Sequence, residues 1–150
     1  MFIPVILVFI FYNHHQQDFC VYAGWALLVF SIVIILLAGY EFRLKGRAPK
    51  GESMVHTTVL VDSGVYAVVR HPQYLGFILF DFALVLMSQH WFSVFSGVVG
   101  SALFYLDVSR EEQMSIVKFG DEYKNYMKKV PRMNFILGIV RLLKRSKKGE

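Results

Sequence analysis

Residues 21–42 read VYAGWALLVFSIVIILLAGYEF, an apolar run that meets its first charge only at Glu41. A helix needs about 20 such residues to cross roughly 30 Å of hydrocarbon. A helix of a soluble bundle keeps a polar face, and residues 21–40 show none. The stretch therefore reads as a membrane span. Upstream, residues 1–12 read MFIPVILVFIFY, shorter and equally apolar, with Pro4 tolerated near the start. No basic residues precede this run and no small-residue cleavage site follows it, so it reads as a short first span rather than a secretory signal. Downstream, Tyr74–Ser88 and Trp91–Asp107 are apolar and separated only by Gln89 and His90, the pattern of a tight transmembrane hairpin. Gly97, Gly100 and Ser101 would let its helices approach closely. The expected fold is all-α, an integral-membrane helical bundle of about four transmembrane helices forming a single domain over 1–150. Its spans are expected near 1–14, 21–42, 74–88 and 91–107.

A chain of 150 residues, 55% hydrophobic and 18% charged, has the size of one domain and excludes disorder and collagen-like repeats. A lone cysteine, Cys20, cannot form an internal bridge. The net charge of +5 would suggest nucleic acid in a soluble protein, but here the charge is segregated. Asp18 is the only formal charge in residues 1–40, and the connections 13–20 and 89–90 hold no Lys or Arg. Of the 16 Lys and Arg residues, five lie in 43–73 and eleven from Arg110 onward. The positive-inside rule then places 43–73, 108–150 and both termini in the cytoplasm of a multi-pass protein. The basic excess reports topology and anionic lipid, with no nucleic-acid partner.

The chemistry must lie in those cytoplasmic segments. The first begins RLKGRAPKGES, turn-rich and basic, and continues TTVLVDSGVYAVVRHPQY. There the β-branched runs Val59–Val61 and Val65–Val69 flank a turn signal at Asp62-Ser63-Gly64. Pro72 biases His71 toward extended backbone, so Arg70, His71 and Tyr74 are held where the chain enters the third span. Taken alone, Arg70 and Tyr74 are ordinary interfacial anchors. After the fourth span, Ile116, Phe119, Tyr123, Tyr126 and Met127 recur at helical spacing, marking an amphipathic helix ended by Pro131. Glu111 and Glu112 stand at its expected start, where carboxylates suit the helix dipole. Residues 135–148 alternate apolar and basic side chains, as in a helix lying on a membrane surface. No metal site is expected, since His14 and His15 are adjacent and no HxxE or CxxC spacing occurs. Cys20 and His90 receive no role.

GVYAVVRHPQYLG at 64–76, then a helical hairpin, then REEQMSIVKFGDEYKNYMKKVPR at 110–132, resembles the isoprenylcysteine carboxyl methyltransferase family. More broadly it resembles the integral-membrane methyltransferases that include phospholipid N-methyltransferases. The resemblance covers about residues 57–133. It implies a membrane bundle whose helical cytoplasmic C-terminal region encloses S-adenosylmethionine, with a tunnel admitting a lipophilic or prenylated acceptor from the bilayer. It implies cofactor contacts from Leu60, Val61, Tyr66, His71, Pro72, Gln73, Tyr74 and Glu111. It also implies a catalytic set of Arg70, Glu112 and an arginine near the acidic pair that meets the acceptor carboxylate, for which Arg110 is the nearest candidate.

The residues suit that chemistry. S-adenosylmethionine needs a carboxylate for its hydroxyls or amino group, and polar or aromatic groups for adenine. Glu111 or Glu112, and His71, Tyr66 and Tyr74, can supply them. No GxGxxG string follows a strand, which disfavours a Rossmann-type methyltransferase. In-line methyl transfer mainly requires aligned reactants and excluded water. A carboxylate or thiolate acceptor needs no base, whereas a protonated amine does, and Glu112 or His71 can serve. Asp81, mid-span, either lines the acceptor path or hydrogen-bonds a neighbouring helix. The leading expectation is methylation of an isoprenylcysteine-like carboxylate. A phospholipid or small-thiol methyltransferase, a sterol-reductase-like enzyme and a non-catalytic scaffold are the alternatives. Self-association of so small a bundle stays open.

Overall fold

The structure, a computed structural model, describes residues 2–46 and 58–147. The chain runs α1 (Phe2–Phe11), α2 (Asp18–Lys45), a 3-10 turn (Gly64–Ala67), α3 (Pro72–Ser88), α4 (Trp91–Phe119), α5 (Asp121–Lys129) and α6 (Phe135–Ser146). No strand occurs among the described residues. Among the described residues, two helices, α2 and α4, are long and apolar enough to cross a membrane, and α3 is a shorter apolar helix. Most of the RLKGRAPKGES stretch lies outside the described residues.

Two boundaries differ from the sequence reading. The apolar fourth stretch and the polar segment after it form one 29-residue helix, α4. Nothing between Asp107 and Arg110 breaks a helix, so Glu111 and Glu112 lie in its interior rather than at an N-terminus, and the dipole argument does not apply to them. The amphipathic pattern is divided instead at Gly120, whose φ of +57° ends α4 and starts α5. Of the valine runs, the start of the second enters a short 3-10 turn, Gly64–Ala67, while Val59–Val61 is irregular. Pro131 does act as expected: Val130 before it is extended, with ψ 129°, and α5 stops at Lys129.

The chain divides into two compact units, residues 1–35 with 74–109 and residues 36–73 with 110–150. In the first unit, small residues sit where helices cross, so a neighbouring helix's side chain packs directly on the glycine backbone. A Cβ on Gly97 would stand 2.9 Å from Val85 Cγ2, and one on Gly100 would stand 2.9 Å from Asp81 Oδ2. Gly24 of α2 lies similarly close to Met87 of α3. The two-residue link between α3 and α4 is clamped to the link between α1 and α2. Gln89 Nε2 donates to Asn13 Oδ1 at 2.9 Å and to Gln17 O at 2.8 Å, and its Oε1 accepts from Gln17 N at 3.1 Å. His90 stacks on Phe11, ring centroids 3.8 Å apart.

The second unit has two small cores. Ala38, Val61 and Tyr66 form one with Phe42 and Val65. Tyr123, Tyr126 and Val130 form the other with Leu60, Ile116, Phe119 and Met127. A hydrogen bond joins them, Tyr126 Oη donating to Tyr66 O at 2.6 Å. Tyr66 in turn donates to Ala38 O at 3.4 Å. At the turn, Glu41 accepts from Val65 N at 2.9 Å, its carboxylate filling the space a Cβ on Gly64 would need.

Candidate active site

The segment before α3 and the segment after α5 pair through their backbones, Arg70 N donating to Pro131 O at 3.0 Å and His71 N to Arg132 O at 3.1 Å. This pairing brings the side chains of Arg70, His71 and Arg132 onto Glu112, about two turns before the end of α4. Arg70 donates to Glu112 Oε1 through Nε at 3.0 Å and Nη2 at 2.7 Å. Its remaining nitrogen, Nη1, donates to Met127 O and Val130 O at the C-terminus of α5. Arg132 Nη2 donates to Glu112 Oε2. His71 Nε2 lies 3.3 Å from Glu112 Oε1, and its Nδ1 faces Glu111 Oε1 at 4.0 Å.

The Glu112 side chain is 2% exposed and that of Arg70 8%, so this is a buried ion cluster. A charge taken out of water is tolerated only when paired and hydrogen-bonded, and both oxygens of Glu112 are engaged. Burial raises its carboxyl, but the hydrogen bonds from His71, Arg132 and Arg70 overcome this and hold it down to about 2. A carboxylate so stabilised suits fixing cations in place better than taking a proton near neutrality. Burial, reinforced by the nearby charges of Glu112 and Glu111, pushes the Tyr123 hydroxyl up to about 12. Burial likewise pushes Tyr66 and Tyr126 up. These phenols are neutral donors.

The ion cluster gathers Arg70, His71 and Glu112 from the expected site residues, with Glu111 at its edge, its side chain 42% exposed. Pro72 is buried at the first position of α3, where a missing N–H costs nothing. Gln73 is half-buried beside it. Leu60, Val61 and Tyr66 lie in the two small cores. Tyr74 belongs to the first unit and packs edge-on against Phe104, centroids 6.1 Å apart. Arg110 is exposed on α4. Sequence reading overlooked Arg132, the arginine that meets Glu112 from 20 residues away. Its only signal was its place in the VPR string, directly after the proline that turns the chain back.

The phospholipid methyltransferase family matches residues 19–122, which include α2 through most of the site. The chain is 32% identical over 111 residues to protein-S-isoprenylcysteine O-methyltransferase of Schizosaccharomyces pombe, covering 67% of this chain and 47% of that one. It is 33% identical over 126 residues to the same enzyme of Rattus norvegicus, covering 78% and 42%. It is also 31% identical over 109 residues to Delta(14)-sterol reductase of Dictyostelium discoideum, covering 67% and 23%. The chain thus spans less than half the length of these curated relatives. No solved structure matches it. The family match covers most of the sequence, including Arg70, His71, Glu111 and Glu112, with Arg132 beyond its end, and the chain belongs to the phospholipid methyltransferase family.

Proposed function

We propose that the chain is an S-adenosylmethionine-dependent methyltransferase of a multi-pass membrane protein. In this reading it acts on the cytoplasmic face on a lipophilic acceptor, an isoprenylcysteine-like carboxylate. The observation that carries the reading is the convergence of Arg70, His71 and Arg132 on Glu112, with Glu111 left partly exposed beside His71. The residues fit the methyl donor's chemistry: a cationic ligand with hydroxyl and amino groups needs an accessible carboxylate, and Glu111 is one. When bound, the donor supplies a methyl group on a sulfonium sulfur.

In this mechanism the protein positions rather than transfers protons. Glu112 holds the two guanidinium groups and fixes the His71 ring, so their geometry is set before a ligand arrives. Glu111 and His71 contact the donor, with Tyr66 and Gln73 nearby in the same unit. Arg132, its side chain 30% exposed, offers a guanidinium group to an anionic acceptor, and a carboxylate acceptor needs no base. A second reading rests on the sterol reductase match, where the same scaffold would serve a nicotinamide cofactor.

The purified full chain is expected to bind S-adenosylhomocysteine in a calorimetric titration and not to bind a nicotinamide dinucleotide. Glu111→Gln or His71→Ala should weaken that binding at least about tenfold, the scale of losing a charged hydrogen bond. Labelled donor is expected to methylate an S-farnesylcysteine derivative in preference to phospholipid amines or small thiols. Nicotinamide binding without S-adenosylhomocysteine binding overturns the reading, and unchanged affinity in both variants overturns the site.

A further inference from the structure

α6 has two faces with opposite partners. One is seated on the protein: Gly138 is buried, and its backbone lies against the carbonyl and side chain of Val68. Arg145, two turns later on the same side, donates through Nη2 to Ala67 O at 3.0 Å. The opposite face, at the positions 136, 139, 140 and 143 given by a 100° step, carries Ile136, Ile139, Val140 and Leu143. They are 77%, 38%, 42% and 58% exposed, so the described residues leave this apolar face largely open. Exposed Lys144 borders it and exposed Lys147 stands at its C-terminal end, and no acidic residue occurs within the helix.

We propose that the outer face of α6 docks on an anionic lipid surface. Ile136, Ile139, Val140 and Leu143 would enter the headgroup–acyl boundary while Lys144 and Lys147 meet lipid phosphates. An apolar stripe bordered by cations and free of acids is complementary to anionic lipid, whereas a second copy of so basic a helix would meet like charge. The docking has a consequence for the second unit. Asn134 caps α6 by accepting from Leu137 N at 2.9 Å, just after Arg132, and α6 rests on Ala67 and Val68, just before Arg70 and His71. Lipid held on the outer face therefore steadies both strands of chain that carry the ion cluster. The proposal stands independently of the methyl-transfer reading, since it concerns lipid contact alone.

The test uses the full chain carrying Cys20→Ser and Leu143→Cys, labelled with an environment-sensitive fluorophore and placed in nanodiscs. Discs of phosphatidylcholine are compared with discs containing about one-third phosphatidylglycerol. A blue-shifted emission quenched by shallow spin-labelled lipid is expected in the anionic discs. Lys144→Glu with Lys147→Glu should cut the anionic-over-neutral preference at least about tenfold, the scale of two surface cations. Because those lysines are exposed, the double variant is expected to keep its fold, and an unchanged circular dichroism spectrum checks this. Emission typical of water, unquenched in both lipids, overturns the proposal. Quenching indifferent to lipid charge and to the double variant overturns it too, as does label-dependent pairing of two chains.

Discussion

Glu112 is where the candidate site is held together. Its two oxygens meet two guanidinium groups and an imidazole in a place nearly closed to water. Removing the charge from such a cluster leaves the cations buried without a counterion. The folded carboxyl titrates near 2 and the ordinary value is 4.5. The stabilisation is therefore complete above about pH 4.5 and is lost as pH falls toward 2. Over that window it amounts to about 3 kcal/mol. In denaturant titrations of the detergent-solubilised chain, Glu112→Gln should cost about that much at pH 7 and flatten the fall in stability between pH 5 and 2. A variant with an unaltered acid slope would mean that the cluster does not hold the fold. Glu112 and Arg70 were legible in the sequence because they sit inside compact motifs. Arg132 was not, because its partnership depends on the backbone pairing of 70–71 with 131–132, a tertiary event with no local signature.

The helices were legible wherever hydrophobic period and punctuation agreed. α3 begins at Pro72 and α6 at Phe135, where proline and the Asn134 cap mark the starts. Agreement failed at α4, because charge changed at residue 107 while helix propensity did not, so the apolar run ended and the helix continued to Phe119. It failed again at α6, where pattern identified an amphipathic helix but not the face turned to the protein. That face is set by Gly138, the close-approach point against the Val68 backbone. A methyl there collides with a main-chain carbonyl that cannot step aside, at a cost of about 1–3 kcal/mol. Gly138→Ala is therefore expected to release α6, with backbone amides 137–146 exchanging hydrogen at least about tenfold faster in deuterium-exchange mass spectrometry. Gly39→Ala serves as the control, since a Cβ at Gly39 meets nothing within 4 Å. Equal exchange in the two variants would show that α6 is not seated through Gly138.

At the scale of the whole molecule, charge and length make separate claims about the membrane. A ten-residue α1 extends about 15 Å, half of a 30 Å hydrocarbon core, whereas the 28 residues of α2 and 29 of α4 exceed what a crossing needs. Four spans, as read from composition, therefore rest on two long helices, one 17-residue helix and a first helix too short to cross unaided. Orientation depends less on that count than on Lys and Arg. The Gln89-clamped links at 13–17 and 89–90 carry none, while all 16 lie in 43–73 or from Arg110 onward. Each arginine or lysine moved to the wrong side opposes the bias that sets topology. In sealed right-side-out membranes of the Cys20→Ser chain, a cysteine replacing His15 should therefore react with an impermeant maleimide. A cysteine replacing Ser146, at the end of α6, should react only after permeabilisation. The reverse pattern would put the ion cluster and α6 on the outer side, and with them the proposed site, away from a cytoplasmic methyl donor.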